Sequence, residues 1–362
     1  MENKPSIFSL TPAELASHFS QWKYPSYRQT QFTDWLFKQR VASLEAMTNL
    51  PKAMKEHLAA EFSWELPQII EKIDCDDGAT KLLLKNSHNL VFESVILRYN
   101  NRVSLCVSSQ VGCKLACSFC QTGKLGFLRN LKAEEILGQF VQAQQVVAKE
   151  NLAITHVVFM GMGEPLDNFE AAVKTANILI DENGFGLSRR RVTISTSGIV
   201  PKIKEYAERT SASLAISLHA CRDELRDALM PINKRYDLAM LKEALTAYQA
   251  KSGEKITIEY ILIKDTNCSR REAKELVRFL HGLRAKVNLI PFNAHPGLPY
   301  ERPEEVDIRE FQTYISERGY PAPVRYSKGL GVSAACGQLA AKHKEQLTDM
   351  PQRANALRAE RA

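Results

Sequence analysis

No uninterrupted apolar run in this chain is long enough to cross a bilayer, and the opening MENKPSIFSL holds nothing resembling a signal peptide. A cytoplasmic protein is the expectation. Acidic excess is missing as well: 48 Lys and Arg against 41 Asp and Glu leave a formal charge of +7. That mild bias suits a polyanion such as RNA. No internal repeat is visible beyond a strand–helix rhythm. Eight cysteines in a reducing compartment are not four disulfides; where they cluster, they point to metal or redox chemistry. With 362 residues, 44% of them hydrophobic, the chain can build one large core and a smaller accessory domain.

Residues 1–70 read as a helical accessory domain, with Ala13-Glu14-Leu15, 31–36 and 54–58 as helix-like segments. The region is rich in Lys, Arg, Tyr and Trp, which fits either an RNA-binding appendage or a solvated basic cap. Residues 71–102 read as a β extension, with TKLLL and NLVFESVILRY as strands and Asn100-Asn101 as a turn. From 103 to 340 strands alternate with amphipathic helices. The strand-like runs are 103–107, 155–160, 191–196, 214–218, 256–263 and 287–291, with a shorter one at 323–327. Between them lie stretches such as EEILGQFVQAQQVVA, where Ile136, Leu137, Phe140 and Val141 keep helical spacing. Such alternation implies parallel βαβ units, and six are too few for a closed eight-unit barrel. The expected fold is α/β, a partial (β/α) barrel of six units. Residues 341–362 form a charged tail.

Barrels of this kind carry their chemistry at the C-terminal ends of the strands. The unusual residues collect there. The first strand runs into CKLACSFC (113–120), the second into GMGEP (161–165), the third into Ser195-Thr196-Ser197-Gly198, the fourth into Ser217-Leu218-His219, and the sixth into Asn293. Three thiols spaced four and three apart suit either a zinc site completed by a remote Cys or His, or an iron–sulfur cubane with one iron left open. An open iron can be chelated by the amino and carboxylate groups of a methionine. In GMGEP the glycines permit close backbone approach, and Glu164 offers an acceptor to a ligand ammonium. Arg189, Arg190 and Arg191 suit a solvated turn or a phosphate contact. Cys75, Cys221 and Cys268 have no motif around them and read as packing or surface residues. Cys106 on the first strand and Cys336 in SAACGQL remain unexplained by spacing alone.

The loop CKLACSFC resembles the CxxxCxxC loop of the radical S-adenosylmethionine superfamily. The wider set SSQVGCKLACSFCQTGKLGFLRNL, FMGMGEPLDN, GLSRRRVTISTSGIVP, SLHA, MPINKRY, NLIPFN and AACGQL is similar to the RlmN/Cfr family of radical RNA methyltransferases. The resemblance implies a 4Fe–4S cluster on Cys113, Cys117 and Cys120, and S-adenosylmethionine contacts from Gly163, Glu164, Ser195, Ser217, Leu218, His219 and Asn293. It implies that Cys336 is methylated by one S-adenosylmethionine, while a second is cleaved to a radical that activates that methyl group for attack on adenine C2. Glu93 matches the family's proton acceptor. Cys106 matches the thiol that closes a transient disulfide with Cys336 and releases the product. The implied substrates are an adenosine of 23S rRNA near the peptidyl-transferase centre and the adenosine 3′ of the anticodon in some tRNAs. A flavodoxin-type electron donor, no membrane and a monomeric enzyme complete the expectation.

The chain departs from the family's usual pattern at Gln121, where a small residue is common, and at Gly331-Val332, where Asp-Ile is usual. Two alternatives stand beside this expectation. One is methylation of adenine C8 in the same rRNA. The other is a zinc-stabilised RNA-binding protein without catalysis.

Overall fold

A computed structural model describes residues 4–294, 297–335 and 337–339 of the chain. The accessory helices start where capping chemistry dictates. Thr11 and Glu14 form a reciprocal capping box and Pro12 occupies the first turn of helix Pro12–Gln21. Helix Ser26–Thr33 runs on into a π-helical turn at Asp34–Lys38, and Lys52–Glu61 closes the group. Their apolar faces meet in an aromatic-rich core that includes Phe8, Phe19, Phe32 and Phe62. This core is continuous with that of the barrel. Phe37 contacts Phe185 edge-on at 5.2 Å, and Arg40 donates to Gln144 Oε1 at 2.8 Å.

Four strands follow in antiparallel order: β1 (Gln68–Asp74), β2 (Ala79–Lys85), β3 (Val91–Tyr99) and β4 (Arg102–Cys106). Asn100-Asn101 is the two-residue turn between β3 and β4, with Tyr99 paired to Arg102. A small hairpin, β5 (Gln110–Gly112) with β6 (Phe127–Asn130), brackets the cysteine loop. The parallel part then adds β7 (His156–Phe159), β8 (Val192–Thr196), β9 (Ser213–Ser217), β10 (Ile256–Leu262) and β11 (Ala285–Pro291). Among the described residues one sheet runs β1-β2-β3-β4-β7-β8-β9-β10-β11, of which β4 and β7–β11 form six parallel strands. This is the expected six-unit partial barrel.

The sheet's two faces differ in chemistry. Leu105, Val157, Ile194, Leu214, Ile258, Val287 and Leu289 alternate onto one face, each essentially inaccessible to water. Tyr260, on the same face, stacks 5.4 Å from Phe311 of helix Glu305–Ser316. Each such side chain contributes roughly 1.5–3 kcal/mol by leaving water. Helix Ala133–Ala148 buries Ile136, Leu137, Phe140 and Val141, as their spacing requires.

The expected short strand at 323–327 is replaced by a single bridge, Leu289 to Val324. The segment lies along β11, with Val287 and Leu289 donating to the carbonyls of Pro321 and Pro323. Those two prolines have no N–H to return, so a full ladder cannot form.

Candidate active site

Cross-strand register sets the inner face. Lys81 opposes Val95, Leu83 opposes Glu93, and Val95 opposes Cys106. Directly paired residues point the same way, so Lys81, Glu93 and Cys106 share a face. Passing along the sheet, Cys106 pairs with Val158, Val158 with Thr193, Ser195 with Ala215, and Ser217 with Glu259. Glu93, Cys106, Ser195 and Ser217 therefore line one polar surface, with the apolar helix-facing layer behind it.

The cysteine loop stands beyond the C-terminal end of β4. Its entry needs glycine: at Gly112, with φ of +75°, a Cβ would fall 2.0 Å from the Gly126 carbonyl oxygen. The Cys113 N–H donates to that same carbonyl at 2.8 Å, and Cys120 closes a turn back to the Cys117 carbonyl at 3.1 Å. Ser118 ties the loop to the Leu229 carbonyl at 3.0 Å and to the Tyr300 hydroxyl at 2.7 Å. Burial pushes the Cys113 thiol up to about 12 and that of Cys117 well above the ordinary range, and the neighbouring cysteines add to both. Burial also raises Cys120.

Among the described residues no three Cys, His, Asp or Glu side chains are drawn together around a single ion. The donor set nevertheless fits a cubane: each ligand there binds a different iron, so three thiolates on one loop stand apart rather than converge. Metal binding would draw the protons off these buried thiols.

GMGEP lies across from this loop. Gly163 has φ of +100°, and a Cβ there would meet Gln110 Cβ at 2.5 Å. The tight approach lets Gln110 Oε1 accept from the Glu164 N–H at 2.9 Å. Glu164 itself is buried. One carboxylate oxygen accepts from the Leu166 N–H at 2.9 Å, and the other from the Ser197 N–H and hydroxyl, each at 2.8 Å. Burial raises its pKa against the pull of those donors.

Leu218 is fully buried, and its N–H donates to the Glu259 carbonyl at 3.0 Å. His219 adopts φ of +59° and stands edge-on to Phe119 at 4.9 Å. Asn293, buried just past β11, donates to the Ser327 hydroxyl at 2.8 Å. Glu93 has no exposed side-chain surface. Its carbonyl accepts from the Ser108 hydroxyl and its carboxylate pairs with Lys81 at 3.4 Å.

Cys336 lies outside the described residues, as does the tail. Its surroundings are partly visible: the Gly337 carbonyl accepts from the Gln121 N–H at 2.8 Å, and the Leu339 carbonyl faces the Thr122 hydroxyl at 3.4 Å. The atypical Gln121 thus joins the loop after Cys120 to the AACGQL segment through its backbone.

Arg189–Arg191 is an exposed turn at the N-terminal end of β8, on the opposite side of the sheet's length from this rim, with Arg189 paired to Glu254 at 3.0 Å. Cys75 sits at the β1–β2 turn, while Cys221 and Cys268 pack against the core.

Two residues escaped the sequence reading. Arg226 is fully buried and donates to the carbonyls of Leu218, Ser197 and Ser217 and to Asn233 Oδ1, at 3.1, 2.6, 3.3 and 2.8 Å. Asn267 donates to the carbonyls of His219 and Ile261 at 2.8 and 2.7 Å and accepts from the Ile263 N–H. The first is signalled only by a charged residue on the apolar face of a short helix. The second has no sequence signal.

Residues 107–280 match the family described as the radical SAM superfamily, and residues 6–63 match the ribosomal RNA large subunit methyltransferase N-terminal domain. A dual-specificity RNA methyltransferase RlmN of Aliarcobacter butzleri is 42% identical over 359 residues, which span 95% of this chain and 98% of that one. The protein of the same description from Sinorhizobium medicae is 43% identical, spanning 93% of this chain and 87% of its own. The crystal structure of a radical SAM methyltransferase from Sphaerobacter thermophilus superposes with a TM-score of 0.88 at 40% identity, covering 93% of this chain and all of that one.

Proposed function

The chain belongs to the RlmN family of radical-SAM RNA methyltransferases, and from that membership we propose that it methylates carbon 2 of adenosine in 23S rRNA and in tRNA. It is an S-adenosylmethionine-dependent RNA methyltransferase of the radical type. Adenine C2 is an electron-poor amidine carbon, not a nucleophile, so polar methyl transfer does not reach it. Among the described residues, no helix is long and apolar enough to cross a membrane.

Bound at the rim, a 4Fe–4S cluster and S-adenosylmethionine supply the one-electron chemistry. Cys113, Cys117 and Cys120 are the proposed cluster ligands. Gly163, Glu164, Ser195, Ser217, Leu218, His219 and Asn293 are the proposed S-adenosylmethionine contacts. Glu164 retains acceptor capacity for an ammonium, because one of its oxygens takes only a single protein hydrogen bond. Cys336 is the proposed carrier of the transferred carbon, Cys106 the thiol that closes a disulfide with it, and Glu93 the acceptor of the C2 proton. Two molecules of S-adenosylmethionine are used in each turnover, one to methylate Cys336 and one to start the radical. Residues 1–70 are proposed to engage the RNA, a flavodoxin-type protein to deliver the electron, and the enzyme to act as a monomer in the cytoplasm.

One observation carries this reading: Glu93, Cys106, Ser195 and Ser217 lie on one face of the sheet, and the cysteine loop stands at its rim. The test is anaerobic incubation of the reconstituted protein with unmodified 23S rRNA fragment, tRNA and S-adenosylmethionine, followed by nucleoside mass analysis. 2-Methyladenosine from both RNAs is expected. 8-Methyladenosine, or an unmodified base with an intact cluster, overturns it.

A further inference from the structure

Glu259 is a buried acid on the inner face that the proposed chemistry leaves unused. It stands midway along β10, alternating with Ile258 and Tyr260 of the helix-facing layer, and is only 5% exposed. It pairs with Ser217 on β9 and with Asn288 on β11. Asn288 Nδ2 donates to Glu259 Oε1 at 2.8 Å, and Arg325 Nε donates to Asn288 Oδ1 at 3.4 Å. The Asn288 amide is thereby oriented from behind, and it holds the carboxylate in turn. Among the described residues the second carboxylate oxygen, Oε2, accepts no hydrogen bond, and it is not one of the polar atoms sealed from solvent.

Burial pushes this carboxyl group up to about 7, against the Asn288 donor and the charges of Lys286 and Arg325. An acid buried with one donor gives the fold little that an apolar residue would not give. Its neighbours suit a flat ring. Ala215 pairs with Thr257, two residues from Glu259, and Ile261 lies two residues beyond it, so both side chains share the inner face, and both are buried. One fixed acceptor beside small and apolar side chains fits the edge of a heteroaromatic ring better than it fits a sugar.

We infer that Glu259 is a specificity-determining residue: its free oxygen accepts the 6-amino group of an adenine ring bound against the inner face. Asn288 is its positioning residue. A 6-oxo purine presents an oxygen where adenine presents the amine, so two acceptors would face each other and neither would be satisfied. The inference deepens the proposed function and rests on its reading of the inner face as the reaction chamber. Two adenines enter that chamber, one in S-adenosylmethionine and one in the target nucleotide. Both present the same amine.

The test uses full-length, cluster-reconstituted protein and measures equilibrium binding in two arms. The first compares S-adenosylmethionine with its 6-oxo analogue, S-inosylmethionine. The second compares 23S rRNA fragments carrying adenosine or inosine at the target position. In one arm the parent should prefer the adenine ligand by at least about tenfold. Glu259→Gln keeps an acceptor for Asn288 but presents an amide donor in place of Oε2, so it should abolish or reverse that preference. The arm that responds identifies which adenine is read. Asn288→Ala removes the positioning donor; it should weaken the same preference without reversing it, and it carries the test if Glu259→Gln does not fold. A parent without preference in either arm, or a preference that neither variant moves, overturns the role of Glu259. Nucleoside analysis of the parent is run alongside. Adenine preference lost in Glu259→Gln, from a parent that forms no 2-methyladenosine, would keep the adenine contact and overturn the proposed function instead.

Discussion

The His219 ring nitrogen Nδ1 accepts the backbone N–H of Ile261 at 3.0 Å. The ring therefore carries its proton on Nε2, which remains available as a donor. The backbone of His219 is left-handed, a conformation that costs a non-glycine residue on the order of 1–3 kcal/mol and persists only where the surroundings hold it. Asn267 does so, through the His219 carbonyl. Ring and backbone are thus both fixed at the end of β9, where the fourth strand meets the rim.

A pH dependence follows from this burial. Desolvation, with the nearby Arg226 charge, lowers the His219 pKa to about 3. The unfolded chain's histidine titrates near 6.5. Between these values the unfolded state binds the additional proton, so stability is full above the upper value and falls as pH drops toward the lower. The loss approaches roughly 1.4 kcal/mol per pH unit. Urea titrations of the parent and of His219→Gln at several acidic pH values check this. The parent should lose stability more steeply than the variant, and parallel curves would contradict it.

Arg226 gathers the carbonyls of Ser197, Ser217 and Leu218, and so ties the ends of β8 and β9 together. Burial lowers its pKa to about 10, which still leaves it charged at neutral pH. A lysine has no planar fork and cannot reach the same acceptors at once. Arg226→Lys should destabilise the protein by on the order of 3 kcal/mol and weaken S-adenosylmethionine binding. Denaturation and equilibrium binding at matched cluster content measure the two effects. Unchanged affinity in a destabilised variant would confine Arg226 to the scaffold.

Much of this architecture is legible in the sequence because parallel strands buried against helices are short, β-branched and bounded by helical periodicity. The six barrel strands fall within a residue or two of their runs. β1 was hidden by its composition: QIIEKID is an edge strand with charged, mostly exposed side chains. The inner face is harder to read, since it depends on register rather than periodicity. The Asn100-Asn101 turn fixes Tyr99 against Arg102, which brings Val95 opposite Cys106 and leaves Glu93 beside Ser108. That chain of pairings was implicit in a recognised turn. The burial of Lys81, inside a run that reads simply as a strand, was not.

Gly163 offers a local test of the rim. Its φ of +100° and the 2.5 Å that would separate an added methyl carbon from Gln110 leave no room for a side chain. Gly163→Ala should cost about 2–4 kcal/mol and displace Glu164, the adjoining residue. Gly186→Ala is the control: φ is +66°, but nothing lies within 4 Å of the added carbon. That variant should lose only about 1–2 kcal/mol, from backbone strain alone. Thermal unfolding and S-adenosylmethionine titration of both variants compare steric with conformational cost. Equal losses would mean that the close approach to Gln110 relaxes freely.

Cys106 and Cys336 are predicted to fail differently. Cys106 is buried on the inner face, opposite Val95 and two strands from Lys81. Cys106→Ala removes one sulfur atom and should leave the fold, the cysteine loop and the carbon-carrying thiol in place. Carbon transfer to the base would then proceed to the bridged stage. Release needs a second thiol to form the disulfide as the carbon–sulfur bond to the base adduct breaks, and that thiol is gone. Protein and RNA should remain joined through Cys336. Cys336→Ala has no sulfur to carry the carbon and should give no adduct. Two merely structural cysteines would give two similarly weakened proteins and no adduct from either. Denaturing electrophoresis with labelled RNA separates the cases, with iron content confirming equal cluster loading. A covalent band from Cys336→Ala, or none from a folded and loaded Cys106→Ala, would overturn the assigned roles.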